Sequence, residues 1–200
     1  MKKSLVSIVI AMAAMSMMAA DIDLPAPQTT GGMSLMEAMA NRKTTRKFSA
    51  DKQLSLQQLS NLLWVADGFN RPDKLTIPTA MNSQEIILYV LRPDGAYRYD
   101  NRANRLIQVS TENLNPASAK QEFAQKCPLN IVIAYDTAKM RMERFANNDA
   151  GAVMQNIYLW CASEGINTVV RGMFGPDLEK ALNMPENEKI LLVQTVGFDE

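Results

Sequence analysis

The strongest constraint on the fold is a long apolar segment that begins near Asp149 and ends at Gly165. Its spacing predicts one helix that is apolar on nearly all sides, formed by Ala152, Val153, Asn156, Ile157, Leu159, Trp160 and Ser163. A helix without a polar face is buried among other elements. The rest of the chain must therefore cover it.

Helices and strands are predicted along the rest of the chain. Capping boxes that start at Ser34 and Ser55 predict two helices, one over 35–41 and one from 56 to a stop at Gly68. Further helices are predicted at 117–126 and 176–183, a polar loop at 67–83, and strands at 86–91, 97–99, 106–109, 129–135, 168–170 and 189–197. These elements show no regular βαβ repeat, so we expect an α+β fold with helices packed on a central mixed or antiparallel sheet.

The first twenty residues predict export. Lys2 and Lys3 form a basic start, an uncharged run extends from Ser4 to Ala20, and Asp21 ends it after two alanines. This pattern is typical of a secretory signal peptide cleaved after Ala20, and an uncleaved membrane anchor is the alternative. We therefore expect a signal peptide at 1–20, an extended lead-in at 21–33 and one domain at 34–200. The mature protein is expected to be periplasmic or secreted, without stable membrane insertion.

Charge and composition exclude several classes of function. The chain has 21 basic and 21 acidic residues, and loss of Lys2 and Lys3 with the signal peptide leaves 19 against 21. A slightly acidic protein is a poor partner for nucleic acid. The chain contains no histidine, which excludes Ser-His and Cys-His nucleophilic catalysis and the HExxH zinc enzymes. Chemistry supplied by a bound cofactor is therefore favoured.

The two cysteines, Cys127 and Cys161, do not by themselves make a structural zinc site. In an oxidising compartment they are candidates for a disulfide bond. The alternative is that both are small buried thiols, since each lies among apolar residues.

Three segments carry residues suited to ligand binding. The basic segment, 42–48, places four cations and two hydroxyls in seven residues, as phosphate binding requires. The amide loop, 78–84, combines small residues with Asn82 and Gln84, which can hydrogen bond to a ring edge. The strand-end segment, 165–174, contains Gly172, where a ligand can approach the backbone. Taken singly, each segment is also compatible with a solvated loop, a turn or a plain strand end.

In this order the three segments resemble the nitroreductase family of FMN enzymes. The family's Arg-x-Ser/Thr-x-Arg/Lys-x-Phe element is matched by Arg42, Thr44, Arg46 and Phe48, and its Pro-Ser-x-x-Asn-x-Gln loop by Pro78, Thr79, Asn82 and Gln84. Its long helix is matched by Asp149-Ala150-Gly151, Gln155-Asn156 and Gly165, and its later strands by Gly172 and Val196-Gly197. The resemblance extends from Ser34 to Phe198.

The resemblance implies an FMN site at the interface of a homodimer, with the chemistry carried by FMN and no catalytic side chain. Arg42 and Thr44, helped by Lys43, would hold the phosphate or ribityl end, and Arg46 would face the pyrimidine edge. The covering residues from the other subunit would be Pro78, Thr79, Ala80 and Asn82. The backbone amides of Val170, Arg171 and Gly172 would pass the reactive nitrogen of the central ring.

Two departures from the family pattern affect these expectations. Many members continue the amide loop with Pro-Trp, whereas this chain has Glu85-Ile86. Members often carry a basic tail after the last strand, whereas this sequence ends Phe198-Asp199-Glu200, so phosphate binding would depend on the basic segment.

The implied activity is two-step, ping-pong electron transfer from a small-molecule donor to a nitroaromatic, quinone or similar acceptor. The electron donor is not identified, because NAD(P)H is cytoplasmic and the protein is expected outside. Either a different donor serves there, or the flavin works as an oxidase or dehydrogenase. The alternatives are an exported flavin-binding or scavenging protein without turnover, and a structural α+β domain that has lost its ligand.

Overall fold

The computed structural model describes residues 20–200, so the predicted signal peptide lies, apart from Ala20, outside the described residues. The strands are β1 (Ile22–Asp23), β2 (Phe69–Arg71), β3 (Lys74–Leu75), β4 (Ile86–Arg92), β5 (Gly95–Asp100), β6 (Arg105–Ser110), β7 (Asn130–Asp136), β8 (Asn167–Arg171) and β9 (Glu188–Gly197). The α-helices are α1 (Leu35–Asn41), α2 (Leu56–Asp67), α3 (Glu122–Lys126), α4 (Glu143–Glu164) and α5 (Leu178–Ala181), and single 3₁₀ turns cover Ala80–Asn82 and Pro116–Ser118.

Seven strands form one sheet in the order β1-β6-β5-β4-β7-β9-β8. Every pairing in it is antiparallel. At the centre, Val90 of β4 lies opposite Ile131 of β7, which lies opposite Gln194 of β9. The predicted α+β fold is confirmed. The prediction allowed a mixed or an antiparallel sheet, and the sheet is antiparallel. Strand β8 forms one edge of the sheet, and its outer side pairs with no further strand.

Both faces of the sheet are buried. Leu88 and Val90 of β4 pack with α2 and α4 in the larger core cluster. Ile87 and Tyr89 of the same strand face the opposite way and pack with Leu178 and Leu182 around α5. This alternation follows from the two-residue period of a strand. A sheet covered on both sides is a rigid support for segments docked at its edge.

The long apolar helix is present but starts earlier than predicted. It begins at Glu143 rather than near Asp149, because the exposed polar residues Glu143, Arg144, Asn147 and Asn148 interrupt the apolar pattern in its first turns. It ends at Gly165, which adopts a left-handed conformation with φ 66°. From residue 149 to 163 no side chain is exposed, as the apolar pattern predicts.

The helix predicted at 117–126 is divided in two, and the reason lies elsewhere in the chain. The carbonyl of Ala117 accepts the N–H of Gly175, and the carbonyl of Ser118 accepts Arg171 Nη1. These carbonyls are therefore unavailable for helical bonds, and Ala119 is extended. The predicted helix at 176–183 is one turn, α5, and the polar loop at 67–83 contains the β2–β3 hairpin.

Cys127 and Cys161 are both buried and both free, so they are not paired in this structure. Among residues 20–200, no helix has the length and apolar character needed to cross a membrane. No cluster of three or more His, Cys, Asp or Glu suited to a metal ion occurs in the same residues.

Candidate functional site

The basic segment lies along the free edge of β8. The N–H of Thr45 donates to the carbonyl of Thr168 at 3.1 Å, and the N–H of Thr168 donates to Thr45 Oγ1 at 3.2 Å. Asn167 Nδ2 donates to the carbonyl of Lys47 at 2.9 Å. These bonds bring the basic segment and the strand-end segment, more than a hundred residues apart in sequence, into one place.

Tyr158 of α4 joins these two segments. Its hydroxyl lies 3.1 Å from Thr44 Oγ1 and accepts the N–H of Val170 at 3.2 Å. The guanidinium carbon of Arg42 lies 5.3 Å from the centre of its ring, within the range of a cation–π contact. Tyr158 thus orients a hydroxyl and a cation of the basic segment. No sequence motif points to Tyr158, although a phenol in a buried helix usually has a hydrogen-bond partner.

The backbone of the strand-end segment offers one unused donor. The N–H groups of Thr168 and Val170 point outward, to Thr45 and Tyr158. Successive N–H groups of a strand point to opposite sides, so the N–H of Arg171 faces β9 and that of Gly172 continues the outward series. In residues 20–200 the Gly172 N–H has no hydrogen-bond partner. Of the three backbone amides predicted to donate to a ligand, those of Val170, Arg171 and Gly172, only the Gly172 N–H is available.

Gly172 also leaves space in front of the backbone. No atom of the described residues lies within 4 Å of the position that a Cβ would occupy there. Packing within the chain therefore does not require glycine at this position, and a flat ligand can approach the backbone.

The side chain of Arg171 lies away from this surface, inside the protein. Its guanidinium donates to the carbonyl of Ser118, to Asn130 Oδ1 and to Thr195 Oγ1 at 2.8–3.2 Å. Burial lowers the pKa of Arg171 to about 10. Arg171 therefore anchors the end of β8 rather than presenting a charge to a ligand.

The basic segment supplies positive charge that the protein itself does not neutralise. Arg42 is half-buried, and Lys43 and Arg46 are exposed. Within residues 20–200, the ion pairs closer than 4.0 Å do not involve any of these three side chains. Unpaired cations next to the Thr44 hydroxyl are suited to an anionic group.

The amide loop is held in a strained conformation. Met81, Asn82 and Gln84 all have positive φ, at 55°, 56° and 49°. Such conformations cost of order 1–3 kcal/mol for residues other than glycine and concentrate at functional sites. The N–H of Ala80 donates to Asp149 Oδ2 at 2.8 Å, which fastens the loop to α4.

Glu85, where many family members have proline, is fully buried and supports the amide loop from below. Ser83 Oγ donates to Glu85 Oε2 at 2.6 Å. Burial raises the pKa of Glu85, and the neighbouring Asp149 carboxyl raises it further. Glu85 therefore supports the amide loop from inside the protein.

The amide loop does not meet the other two segments within one chain. It is attached to α4 at Asp149, whereas the basic segment and Val170 meet at Tyr158, nine residues later on the same helix. Nine helical residues correspond to roughly 13 Å along the axis. The structure therefore brings together two of the three predicted segments and holds the third further along the helix.

Comparisons with known proteins agree with this fold. The nitroreductase family model matches residues 39–198. A protein of Methanocaldococcus jannaschii with a provisional nitroreductase name is 25% identical over 178 residues, with 80% of this chain and 89% of that protein covered. The crystal structure of a provisionally named nitroreductase from Ralstonia eutropha JMP134 is 36% identical, covers 90% of each chain and has a TM-score of 0.84.

A third likeness concerns the fold alone. The crystal structure of a provisionally named nitroreductase in complex with FMN from Desulfovibrio desulfuricans is 18% identical, with a TM-score of 0.63. The match covers 84% of this chain and 88% of that one.

Proposed function

This chain belongs to the nitroreductase family and is a flavin-dependent oxidoreductase, and we propose that its flavin is FMN. In this proposal the enzyme takes electrons from a small-molecule donor and passes them to a nitroaromatic, quinone or similar acceptor in two separate half-reactions. The junction at Tyr158 is the observation that carries the proposal. It joins unpaired cations, suited to a phosphate, to the open backbone at Gly172, suited to a flat ring.

The residues of this chain would bind and orient the cofactor rather than react. Arg42 and Lys43 would neutralise the phosphate, and the Thr44 hydroxyl, held by Tyr158, would hydrogen bond to the phosphate or ribityl end. Gly172 would present its free N–H to the ring. When bound, FMN supplies the two-electron redox chemistry that the side chains of this chain lack.

We further propose that the enzyme is a homodimer in which each amide loop covers the flavin of the partner. The loop is attached roughly 13 Å along α4 from the Tyr158 junction, which supports a covering role at the site of another chain. The exposed apolar side chains Leu35, Met36 and Met39 of α1, which packs on α4, also support a protein interface here. Two-fold symmetry would then place one loop over each site.

The proposal is tested by purifying the protein from its native compartment and measuring its mass by light scattering together with its visible spectrum. We expect a yellow dimer with one FMN per chain whose colour bleaches with a donor and returns with a quinone. A yellow monomer with full FMN content would contradict the shared site. A yellow protein that no donor in a broad panel reduces would contradict turnover and support flavin binding alone.

Arg46 and Arg42 are expected to have separable roles. Arg46 near the pyrimidine edge would favour the anionic reduced flavin over the neutral oxidised ring, so Arg46→Ala should lower the reduction potential. A charge-assisted hydrogen bond of about 1–3 kcal/mol corresponds to roughly 20–65 mV for a two-electron couple. Arg42→Ala should instead weaken FMN binding with little change in potential. Spectroelectrochemistry and FMN titration of both variants measure this, and an unchanged potential in Arg46→Ala would refute the electronic role.

Tyr158 is expected to position the phosphate end of the site. Tyr158→Phe removes the hydroxyl shared by Thr44 and Val170 but keeps the ring beneath Arg42. A hydrogen bond of about 1 kcal/mol predicts FMN binding roughly fivefold weaker. Tyr99→Phe is the matched control, because the Tyr99 phenol donates to Asn104 at 3.0 Å on the distant strand β5. Equal losses of FMN affinity in both variants would show that Tyr158 has no specific role.

We also propose that the protein is exported and that its mature form begins at Asp21. The basic start and the uncharged run to Ala20 support this. The intact mass of the protein isolated from its native host measures it. A mass that includes Met1 to Ala20 would show that the segment is retained.

A further inference from the structure

We propose that Glu85 is a protonated carboxylic acid that holds the amide loop closed through Ser83 and Ala80, and that loss of this proton releases the loop. The hydrogen-bonded chain of these three residues is the latch. Glu85 is fully buried and directly precedes β4. If the amide loop covers a flavin, the latch makes the retention of FMN depend on pH. This consequence rests on the proposed function, whereas the latch itself does not.

The Ser83 hydroxyl lies between two oxygen atoms. Its Oγ is 2.6 Å from Glu85 Oε2 and 2.7 Å from the carbonyl oxygen of Ala80. Both are full hydrogen-bond distances, but a serine hydroxyl has only one hydrogen to donate. A second hydrogen is therefore needed, and the Ala80 carbonyl has none. A protonated Glu85 carboxyl supplies it.

The direction of these hydrogen bonds depends on the protonation of Glu85. A protonated carboxyl donates to Ser83 Oγ, and the Ser83 hydroxyl then donates to the Ala80 carbonyl. With an ionised carboxyl the hydroxyl donates to Glu85 instead, and the oxygens of Ser83 and Ala80 lie 2.7 Å apart without a hydrogen between them. The closed loop is therefore compatible with the protonated form and strained by the ionised one.

The surroundings of Glu85 also oppose a negative charge. Asp149, a second buried acid, accepts the N–H of Ala80 at 2.8 Å and so holds the same loop residue. Within residues 20–200, neither acid has an ion-pair partner closer than 4.0 Å. Glu85 Oε1 has no hydrogen-bond partner in the same residues. An ionised Glu85 would therefore be a buried, unpaired anion beside another acid.

The other charged groups near Glu85 do not compensate for such a charge. Asp67, at the end of α2, is a buried acid and repels an ionised Glu85. Asp136, whose N–H donates to the Glu85 carbonyl at 2.9 Å, is a further acid. Lys139 is exposed and donates to the backbone carbonyl of Gln84 at 3.0 Å. The charges around Glu85 are therefore mostly negative, in agreement with its raised pKa.

Strain explains why loss of the latch would open the loop. Met81, Asn82 and Gln84 have positive φ, which residues other than glycine keep only where the surrounding structure holds them. The bonds of Ala80 to Asp149 and of Ser83 to Ala80 provide that restraint. Ionisation of Glu85 draws the Ser83 hydroxyl away and adds repulsion from Asp149. The loop then relaxes from its closed conformation.

Infrared spectroscopy tests the proton directly. At about pH 6 an ordinary glutamate is ionised, whereas Glu85 should show the C=O stretch of a protonated carboxyl. The difference spectrum of the wild type and Glu85→Gln isolates this band, because the Asp67 carboxyl contributes to both spectra. Absence of the band from the difference spectrum of the two folded proteins would overturn the proposal.

Amide hydrogen exchange of the flavin-loaded protein, followed by NMR, tests the latch. The N–H groups of Ala80, Asn82, Ser83 and Gln84 all have acceptors, so a closed loop protects them. After correction for intrinsic exchange, their protection should fall roughly tenfold per pH unit between the ordinary and the raised pKa of Glu85, because opening is coupled to the release of one proton. Glu85→Gln keeps a neutral donor, so its protection should not depend on pH in this window.

Two further variants separate the latch from general loss of stability. Asp67→Asn is the matched control, because Asp67 is a buried acid that bonds to Asn101 and not to the loop. Its loop protection should keep the pH dependence of the wild type. Ser83→Ala should lower the protection of the loop at every pH and keep the infrared band. A pH dependence lost in Asp67→Asn but kept in Glu85→Gln would assign it to global unfolding and overturn the latch.

The rate of FMN release separates the latch from the proposed function. The ratio of the wild-type rate to that of Glu85→Gln should rise with pH in step with the exchange of the loop amides. This ratio cancels the titration of the FMN phosphate and of Asp67, which both proteins share. A loop that opens with pH while the ratio stays constant would keep the latch and refute the covering role of the amide loop. A constant ratio together with a loop that stays protected at every pH would overturn the latch.

Discussion

Between about pH 4 and pH 8 the protein is expected to lose stability, and Asp67→Asn is expected to remove much of that loss. Burial raises the pKa of Asp67 from 3.8 to about 8 in the folded state. In the unfolded chain the group ionises near pH 4, so across this window the unfolded state releases a proton that the folded state retains. The stability then falls by about 1.4 kcal/mol per pH unit for one such group. Above pH 8 the Asp67 carboxyl is ionised in both the folded and the unfolded state, so it no longer makes the stability depend on pH.

The measurement is urea denaturation of the wild type and Asp67→Asn at several pH values from 4 to 8. Asparagine is neutral at every pH used, so the free energy of unfolding of the variant should rise relative to that of the wild type as the pH rises. The relative gain between pH 4 and pH 8 should exceed about 2 kcal/mol. Glu85, whose pKa burial also raises, contributes a residual slope of the same sign in both proteins. Asp51→Asn, at an exposed carboxylate, is the control and should leave the slope unchanged. Parallel curves for the wild type and Asp67→Asn would show that Asp67 is ionised in the folded protein.

The features that sequence alone predicted are those with local causes. Both capping boxes form as predicted, since Ser34 and Ser55 each bond to a residue three positions later. The six longer strands lie where apolar runs and turns predict them, with bounds shifted by one or two residues. The left-handed Gly165 ends α4 because its position requires positive φ. Such signals are contained in a few neighbouring residues and need no knowledge of the rest of the fold.

The features that sequence analysis missed depend on contacts between distant segments. The predicted helix at 117–126 is interrupted because Gly175 and Arg171 take the carbonyls of Ala117 and Ser118. Tyr158 acquires its role only when the basic segment docks on β8.

The motifs identified the three ligand segments but not their arrangement. The motif order does not reveal that α4 separates the attachment points of the amide loop and the basic segment. That separation is a property of the helix, with Asp149 and Tyr158 nine residues apart on it. It is also the observation that supports the proposal of a flavin site shared between two chains.

Arg171→Met is expected to destabilise the protein by about 2–4 kcal/mol, through buried acceptors that lose their donor. The Arg171 side chain, with the residue 6% exposed, bonds to the carbonyl of Ser118, to Asn130 Oδ1 and to Thr195 Oγ1. No described carboxylate lies within 4.0 Å of it, so removing the charge strands no buried anion. The cost comes from the unsatisfied oxygens, each worth about 1–3 kcal/mol, partly offset by relief of the cation's desolvation.

Urea denaturation at neutral pH measures this cost, with Arg105→Met as the control. Arg105 pairs with Asp23 at 3.1 Å and with Asp21 at 3.6 Å on the surface, and each exposed pair contributes at most about 1 kcal/mol. Arg171→Lys keeps the charge but cannot reach all three acceptors with one ammonium group. It should therefore lose at least as much stability as Arg171→Met, because a buried ammonium is harder to satisfy than a guanidinium fork. Since Gly172 follows Arg171 directly, loosening this anchor should also weaken FMN binding in the folded variant. Equal stability losses in Arg171→Met and Arg105→Met would show that the buried bonds contribute no more than a surface ion pair.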